Sequence, residues 1–585
     1  MSAVTYQELI TKSFRDNAIR SVMLIDDDFL PYDKLVELNG DLSSTPDTVR
    51  RGSQLSSKIH KFFQQKKIVC DVDQGTEHLD IEKIRKCDLI ILDYHLEHLD
   101  PSRSLSVISG LSQSQHMNLV VVYTADSDLG KVWREIAVSL VGAFSPDRTE
   151  EFFSTDNEAL IQWNEKTEDG SIDLPENISS NVSESALDQY LLAGKPSEEL
   201  TNTLQLRGDF FSNKFIAAIC NERLNKLNHL RTEFKKLNLS GKNSADTRWL
   251  QLNNVFVIIK QKPVDIADFN PIEIWDAIEL ALIDWDPTYY QLLISEVQNQ
   301  LENTALSFSK DYLYDSEGQA GWLHQLLAPT ASHDKRIEIN KLVRNLGDEV
   351  GKKLLENNDL SQYAFNLINY LNENKTDPLA IFCANKAKVG NILDQAEVKN
   401  AIGHAVNHCL CSLPSDFGYI TNGTVISIIR DNIENIYLCT TPACETVPAQ
   451  ITGEMARDLK PHRLMKFIKL ESTRLAKALT DALKSNYIFL KKGEFRVAYK
   501  AVDSNNQPTI KYMLVKNHDS QIQDNSSDRN EFTILTMVSR ENSTEPSFDS
   551  MSATIVGQLR EHYAARFQAI ASSHMGRIGV DFIKF

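Results

Sequence analysis

The chain has 585 residues, enough for several domains, because one domain usually takes roughly 100–200 residues. Its formal net charge of −18 argues against non-specific binding to nucleic acid and against docking on anionic membranes, since both require a basic surface. An apolar fraction of 42% is ordinary for a globular protein that builds packed cores.

The N-terminus and the cysteines indicate a cellular compartment. The opening segment, from Met1 to Glu8, has neither the charged nor the apolar region of a signal peptide. No run of the sequence approaches the roughly 18–20 apolar residues of a membrane span. The eight cysteines have irregular spacing. We therefore expect a cytoplasmic protein with reduced thiols.

Three short apolar runs in the first quarter of the chain each end in polar residues. They are residues 22–25, 89–92 and 119–123, and they are followed by Asp26 with Asp27, by Asp93 and by Thr124. An unbroken apolar run of this length is typical of a strand buried on both faces, as in a parallel sheet. Reactive groups in such sheets lie just past the carboxyl ends of the strands. We therefore expect the three acids and Thr124 to meet at one edge of a sheet.

Helical segments alternate with these runs. Apolar spacing predicts helices at 53–65, 80–86, 102–113 and 129–140, and a further strand at 67–70. Such alternation predicts an α/β fold with a doubly wound parallel sheet, here over residues 1–150. Loop-forming residues, among them Pro31 and the Asn39-Gly40 pair, predict an insertion near 30–52.

Several carboxylates in one pocket suggest a metal-assisted chemistry. Neighbouring carboxylates repel one another and raise each other's pKa, and a hard divalent cation relieves that repulsion. Mg2+ prefers one or two carboxylates together with water and phosphate oxygens. A carboxylate beside such a cation can act as a nucleophile towards a phosphoryl group. The acids at this edge therefore predict a site at which a carboxylate accepts a phosphoryl group.

This arrangement resembles the receiver domain of two-component response regulators, which has a flavodoxin-like fold. The resemblance covers roughly the first quarter of the chain and implies that Asp26, Asp27 and Asp93 hold Mg2+. It also implies that Asp93 is the phosphoacceptor, that Thr124 is the switch residue and that the backbone carbonyl of His95 is a further metal ligand. A sensor histidine kinase would be the phosphodonor.

Two departures from that family concern the fifth strand and the residues after the acceptor. The family carries a lysine at the end of the fifth strand, and the run predicted for that strand here, 141–144, is followed by residues 145–148 without a lysine. The family also favours a proline shortly after the acceptor, where this chain has Glu97 after Leu96. The alternative to a phosphorylated receiver is therefore a silent pseudo-receiver that acts as an interaction module.

The rest of the chain divides into a stretch with helical patterns and a stretch with strand patterns. Apolar residues at helical spacing predict a mainly helical domain at 151–410, with a polar linker near 166–185. From 411 to 585, short β-type runs such as 425–429, 436–439 and 487–490 predict a β-rich α+β domain. No DNA-binding or cyclase motif is present, and we expect a signalling protein rather than an enzyme.

Several histidines and cysteines in the tail are candidates for metal binding or catalysis. They are His404, His408, Cys409, Cys411, Cys439 and Cys444. Their spacing matches no common zinc pattern, so buried structural cysteines are the preferred interpretation. Cys444 follows a predicted strand, which leaves open an enzyme in the tail with His408 or His462 as the base. A tight turn at Pro442 is the simpler explanation.

The tail resembles, more loosely, the effector-less receiver component of Detocs-type antiphage two-component systems. The residues that carry this resemblance are Thr441-Pro442-Ala443-Cys444 and Arg577-Ile578-Gly579-Val580-Asp581. It implies a role as a phosphate sink or signalling intermediate, with a second receiver-bearing effector as a further partner. The oligomeric state does not follow from the sequence.

Overall fold

The computed structural model describes residues 4–38, 42–43, 45–75, 79–97, 100–114, 117–144, 149–167, 182–198, 200–201, 212–235, 237–304, 315–328, 332–389, 394–413, 419–447, 453–493, 495–518, 531–538 and 547–575. The chain divides into two compact units. The first comprises Met1–Asp315 and Leu346–Asn374, and the second comprises Ser316–Asn345 and Lys375–Phe585. These limits differ from the predicted 1–150, 151–410 and 411–585, because the chain beyond residue 150 completes the sheet of the first unit.

Among the described residues, seven strands form the sheet of the first unit. They are β1 (Ser21–Ile25), β2 (Val69–Asp73), β3 (Leu89–Asp93), β4 (Asn118–Thr124), β5 (Ser240–Asn243), β6 (Arg248–Leu252) and β7 (Val255–Gln261). Their order is β2-β1-β3-β4-β7-β6-β5, and the five strands from β2 to β7 run parallel. The strands β6 and β5 extend the sheet as an antiparallel hairpin. The predicted doubly wound parallel sheet is confirmed.

Helices cover both faces of this sheet. In the first part of the chain they are α1 (Tyr6–Thr11), continued by a π-helical turn (Lys12–Asp16), α2 (Tyr32–Glu37), α3 (Asp47–Gln65), α4 (Ile81–Ile84), α5 (Ser102–Leu111), α6 (Leu129–Val141), α7 (Thr149–Phe152), α8 (Asn157–Thr167), α9 (Glu184–Ala193), α10 (Asn213–Asn225), α11 (Ile272–Trp285) and α12 (Tyr289–Thr304). One hydrophobic core joins the central strands to α5 and α6. The strands β3 and β4 are buried at every position, which explains their unbroken apolar runs.

The fifth parallel strand is β7, so the prediction of that strand at 141–144 is wrong. Val141 is the last residue of α6, and that helix is buried at every position from Val132 to Val141. Gly142 then turns the chain with φ of +78°, and a side chain there would collide with the carbonyl of Glu233. Residues 142–254 intervene before β7 pairs with β4 along its whole length.

The predicted insertion after β1 contains α2, and the helix that follows begins earlier than expected. It is α3, which starts at Asp47 rather than near Ser53. Within α3, Gly52 packs directly against the loop after β1, because an added Cβ would lie 2.7 Å from Asp28 Cβ. This close approach fixes the position of the loop that contains Asp26 and Asp27.

The predicted helical middle holds only in part, because residues 240–261 form β5 to β7. Further helices are α13 (Ser316–Leu327), α14 (Ser332–Glu356), α15 (Asn358–Glu373), α16 (Leu379–Lys386) and α17 (Gln395–Cys411). Among the described residues, none of the helices combines the length and the apolar character that crossing a lipid bilayer requires.

The second unit contains an antiparallel barrel, so the β-rich C-terminal fold is confirmed. Its strands are β8 (Ser412–Leu413), β9 (Thr424–Arg430), β10 (Ile433–Cys439), β11 (Arg463–Thr473), β12 (Tyr487–Lys492), β13 (Phe495–Lys500), β14 (Ile510–Val515), β15 (Glu531–Val538) and β16 (Ser547–Leu559). The order β10-β9-β16-β15-β14-β11 closes on itself, because β10 also pairs with β11. The end of β11 continues into a ribbon with β13 and β12.

Side chains alternate between the inside and the outside of this barrel. Inward residues such as Ile426, Phe467 and Met513 form one core, and outward residues such as Val425 and Leu438 form another. The outer core is completed by α21 (Glu561–Met575). The remaining short helices of the unit are α18 (Ala443–Thr446), α19 (Glu454–Asp458), α20 (Leu475–Thr480) and a 3-10 turn (Ala482–Lys484).

Candidate functional site

Three carboxylates meet where β1 and β3 end. Asp26 and Asp93 are buried, with 2% and 7% exposure, and Asp27 is exposed to solvent. One oxygen from each of the three lies within 4.8 Å of the others. Adjacent parallel strands end at the same edge of a sheet, so the pairing of β1 with β3 brings these carboxylates together. The structure thus brings together the acids that the sequence singled out.

A lysine that the sequence analysis missed lies between two of these acids. Lys262 is the residue that follows β7, and its Nζ lies 2.8 Å from Asp26 Oδ2 and 2.9 Å from Asp93 Oδ1. Its backbone N–H donates a 2.7 Å hydrogen bond to the carbonyl of Thr124. The expectation that no lysine serves this site is therefore wrong, because the fifth strand lies farther along the chain than the one predicted.

A signal for Lys262 was present in the sequence. Residues 255–259 form an apolar run that ends in polar residues, as the runs before Asp26, Asp93 and Thr124 do. The run does not stand out, because the apolar residues around it recur at helical spacing and it lies far along the chain from the other three strands. Only the pairing of β7 with β4 places Lys262 beside Asp93.

Burial and charge shift the pKa values of the four groups in opposite directions. Burial raises the pKa of Asp93 to about 7, with Lys262 opposing the rise and Asp26 and Asp27 adding to it. Burial also raises the pKa of Asp26 and of Asp27 above the ordinary range. For Lys262, burial alone would lower the pKa, but the two paired carboxylates raise it above its usual value. The lysine stays charged, whereas the acids resist full ionisation.

The donor set suits a hard divalent cation. One ammonium compensates only part of the charge of three ionised carboxylates, and additional positive charge would lower their pKa values again. Three carboxylate oxygens within 4.8 Å of one another, with Asp27 open to solvent, match the preference of Mg2+ for a few carboxylates and retained water. The residues present therefore fit the cation that the sequence analysis expected.

Thr124 and His95 lie beside this cluster. Thr124 is fully buried at the end of β4, one position beyond the residue that pairs with Asp93, and its Oγ1 accepts a 3.1 Å hydrogen bond from the backbone N–H of Asp126. His95 is half-buried two residues past Asp93, and its ring stands edge-on to Tyr94. The switch role of Thr124 and the metal role of the His95 carbonyl stay predictions.

Buried hydrogen bonds fix the backbone at Asp93 and the side chain of the next residue. Ser104 Oγ donates a 2.8 Å hydrogen bond to the Asp93 carbonyl. The next side chain, Tyr94, is fully buried and donates a 2.5 Å hydrogen bond to the buried Glu135. The other oxygen of Glu135 lies 2.9 Å from Nε2 of His229, in the segment between α6 and β7. That segment therefore supports the site as well as delivering Lys262.

The alternative sites in the tail gain no support. Among the described residues, the group Asp26, Asp27 and Asp93 is the only one that brings three potential metal ligands together. His404 is buried, with Nε2 donating to the Leu490 carbonyl at 3.0 Å. Cys411 and Cys439 are buried, in agreement with a structural role, whereas Cys409 is exposed, so the expectation of a buried cysteine is wrong there.

The environment of Cys444 also favours the simpler explanation. Cys444 is exposed in α18, which begins directly after Pro442. The Nδ1 atom of His462 already accepts a hydrogen bond from the backbone N–H of Asn517. The second segment of the looser resemblance, residues 577–581, lies outside the described residues.

A known protein family matches the first part of the chain. Residues 18–171 match the family described as "Response receiver domain". No curated protein matches the chain. The first unit therefore contains a response-regulator receiver domain, which supports a signalling role of that kind. The match ends before β7, although β7 completes the parallel part of the sheet and carries Lys262.

Proposed function

We propose that this protein accepts a phosphoryl group on Asp93 from the phosphohistidine of a sensor histidine kinase. The observation that carries the proposal is the bridge from Lys262 Nζ to Asp26 and Asp93, at 2.8 and 2.9 Å, beside the exposed Asp27. In the transfer, a carboxylate oxygen of Asp93 forms a bond to phosphorus while the phosphorus–nitrogen bond of the donor breaks. The imidazole nitrogen keeps the electron pair of the broken bond.

Each residue of the cluster has a defined task in this step. Asp26 and Asp27, together with Asp93, would hold Mg2+, which supplies positive charge to the phosphoryl oxygens when bound. Lys262 keeps Asp93 in place before transfer, and its ammonium pairs with a phosphoryl oxygen afterwards. Thr124 is buried next to Asp93, where its hydroxyl can respond to the added group.

The presence of Lys262 bears on how the signal is read out. Its backbone N–H is bonded to the Thr124 carbonyl, so β4 and the residue after β7 are joined at the point where charge changes on phosphorylation. When the Lys262 ammonium exchanges its carboxylate partner for a phosphoryl oxygen, it would move relative to the backbone hydrogen bond between Lys262 and Thr124. This argues for a functional receiver over the silent pseudo-receiver that the missing lysine suggested.

In a wider context, the proposed role is that of a cytoplasmic phosphate sink or signalling intermediate in bacterial antiphage defence, without enzymatic turnover. The support is the loose resemblance of the tail together with the lack of an effector motif in the sequence. A second receiver-bearing effector would then compete for the same kinase. Phosphotransfer from one kinase to both proteins, followed over time, tests the competition.

Labelling with a small phosphodonor tests the central proposal. The full chain is incubated with acetyl phosphate and Mg2+, and phosphorylated protein is separated on a phosphate-affinity gel. We expect labelling of the parent and none of Asp93→Asn. The matched control is Asp71→Asn, which changes an exposed acid on β2 that pairs with Lys83. If Asp93→Asn is labelled at the parent's rate, the acceptor is another residue and the proposal is wrong.

Mg2+ titration separates the proposed receiver from a silent interaction module. The receiver should bind Mg2+ saturably, and Asp27→Asn should weaken that binding without disturbing the buried pair formed by Lys262. A silent module should give no response that depends on Asp27. The readout is tryptophan fluorescence, since five of the six tryptophans belong to the first unit.

A further inference from the structure

One mouth of the barrel in the second unit is lined by cations. In a strand, every second side chain points to the same face, so the rows of buried inward residues can be followed to their ends. On β9, β11 and β14 the row continues with a positive residue at the same end of the barrel. The last buried residue and the following cation are Ile428 and Arg430, Phe467 and Lys469, and Met513 and Lys511.

The strand register brings these cations close together. Lys511 lies opposite Phe467 on β11, and Lys469 lies opposite Tyr437 on β10. The Nζ atom of Lys511 is 5.9 Å from the centroid of the Tyr437 ring, which belongs to the barrel core. Burial lowers the pKa of Lys511, and the charges of Arg430 and Lys469 lower it further. The three cations therefore repel one another across the mouth.

Carboxylates compensate this charge only in part. Asp549 on β16 pairs with Arg430 at 3.4 Å. Within the described part of the chain, no carboxylate forms an ion pair with Lys469 or Lys511. In a protein with a net charge of −18, an uncompensated group of this kind is notable, because acidic side chains are abundant. Arg430 and Lys469 are exposed and Lys511 is half-buried, so an anion from solution can reach the group.

A buried hydroxyl faces the same interior and lacks a partner. Thr536 is 1% exposed and continues the inward row of Phe532 and Ile534 on β15, towards the end of the barrel that holds the cations. Its Oγ1 has no hydrogen-bond partner among the described residues. Leaving a buried polar group unpaired is unfavourable, so an acceptor supplied by a ligand would be stabilising.

We propose that this mouth, defined by Arg430, Lys469, Lys511 and Thr536, binds a small ligand that carries a phosphate-like oxyanion. An oxyanion supplies negative charge to the cations and an acceptor for the Thr536 hydroxyl at the same time. A cationic ligand would add to the repulsion, and a neutral apolar ligand would leave the hydroxyl unpaired. This site shares no residue with the receiver cluster and does not depend on phosphorylation of Asp93.

Titration of the full chain with inorganic phosphate tests the proposal. Calorimetry is performed in EDTA at constant ionic strength, with sodium chloride as the compensating salt. We expect saturable binding that Lys511→Gln weakens about tenfold and Thr536→Val about fivefold, as expected for a charged and a neutral hydrogen bond. The control Lys477→Gln removes an exposed lysine of α20 and should leave the affinity unchanged.

The stability without phosphate separates ligand binding from a purely structural role. Removing Lys511 relieves repulsion, so Lys511→Gln should unfold at no lower temperature than the parent when phosphate is absent. If Lys511 only packs on Tyr437, Lys511→Gln should instead unfold at a lower temperature than the parent. Glycerol 3-phosphate in a parallel titration identifies the source of the oxyanion, because tighter binding indicates a phosphate ester and weaker binding indicates free phosphate.

Three results would overturn the inference. The first is a response to phosphate that sodium chloride reproduces at equal ionic strength. The second is equal phosphate affinity of the parent, Lys511→Gln and Thr536→Val. The third is loss of binding in Lys262→Met with no loss in the barrel variants, which would assign the phosphate to the receiver cluster.

Discussion

The two units of this protein hold charged clusters that are built in different ways. In the receiver sheet, Asp93 ends β3, and Asp26 and Lys262 directly follow β1 and β7, so that opposite charges meet at 2.8 and 2.9 Å. In the barrel, Lys469 and Lys511 continue inward rows of antiparallel strands, and no carboxylate of the described residues forms an ion pair with either lysine. The difference is one of burial, because Asp26 and Asp93 are buried and paired with Lys262, whereas Arg430 and Lys469 are exposed at the barrel mouth and accessible to an anion from solution.

The largest effect is expected from removing the receiver lysine. Lys262→Met leaves Asp26 and Asp93 buried without their cation, which should cost about 3–5 kcal/mol in unfolding free energy. Urea unfolding in EDTA, followed by tryptophan fluorescence, measures the change. Lys242→Met is the matched control, because its pair with Asp284 is more exposed and should contribute less than about 1 kcal/mol. Equal losses in the two variants would contradict the central place given to Lys262.

A glycine beside the acid loop gives the next largest effect. Gly52→Ala places a Cβ 2.7 Å from Asp28 Cβ, so α3 or the loop must shift at a cost of about 1–3 kcal/mol. We also expect weaker Mg2+ binding, since Asp26 and Asp27 precede Asp28. Gly110→Ala in α5 is the control, because its Cβ meets Ile81 at 3.4 Å and should be tolerated or slightly stabilising. Unchanged stability and Mg2+ binding in Gly52→Ala would show that the loop adapts freely.

The stability of the first unit should depend on pH with a defined sign. Burial raises the pKa of Asp93 to about 7, so the folded state binds more protons than the unfolded state between about pH 4 and 7. Stability in EDTA should therefore fall as the pH rises through this window, by up to about 1.4 kcal/mol per pH unit. Asp93→Asn should flatten this slope, and Mg2+ should offset the loss in the parent. A slope of the opposite sign would mean that the lysine dominates the carboxylates.

The smallest effect tests the barrel side of the comparison. Thr536→Val removes a buried hydroxyl that has no partner, so we expect a gain of about 1 kcal/mol in the absence of phosphate. Differential scanning calorimetry of the second unit's transition in the full chain measures this gain. Thr424→Val is the control, because its Oγ1 donates to Gln558 Oε1 at 2.7 Å and its replacement should be destabilising. A loss of stability in Thr536→Val would show that the hydroxyl has a partner after all.

The first four receiver strands and the position of the acids at their ends follow from local sequence patterns. A strand buried on both faces of a parallel sheet needs an unbroken apolar run, and the residue after that run lies at the functional edge. Asp26, Asp27, Asp93 and Thr124 could be assigned on that basis alone. The β-rich tail also follows from the sequence, because short runs of β-branched, aromatic and aliphatic residues, such as 425–429 and 487–490, are typical of strands.

Long-range strand pairing, in contrast, selects the run that completes the sheet and the tail residues that face the barrel interior. Residues 141–144 and 255–259 both form short apolar runs, and such a run does not by itself distinguish helix from strand. Val141 is the last residue of α6, whereas residues 255–259 lie in β7. The choice depends on pairing with β4 across a long intervening segment, which no local pattern encodes. In the barrel, likewise, the meeting of Arg430, Lys469 and Lys511 depends on strand register and closure, which are properties of the folded chain.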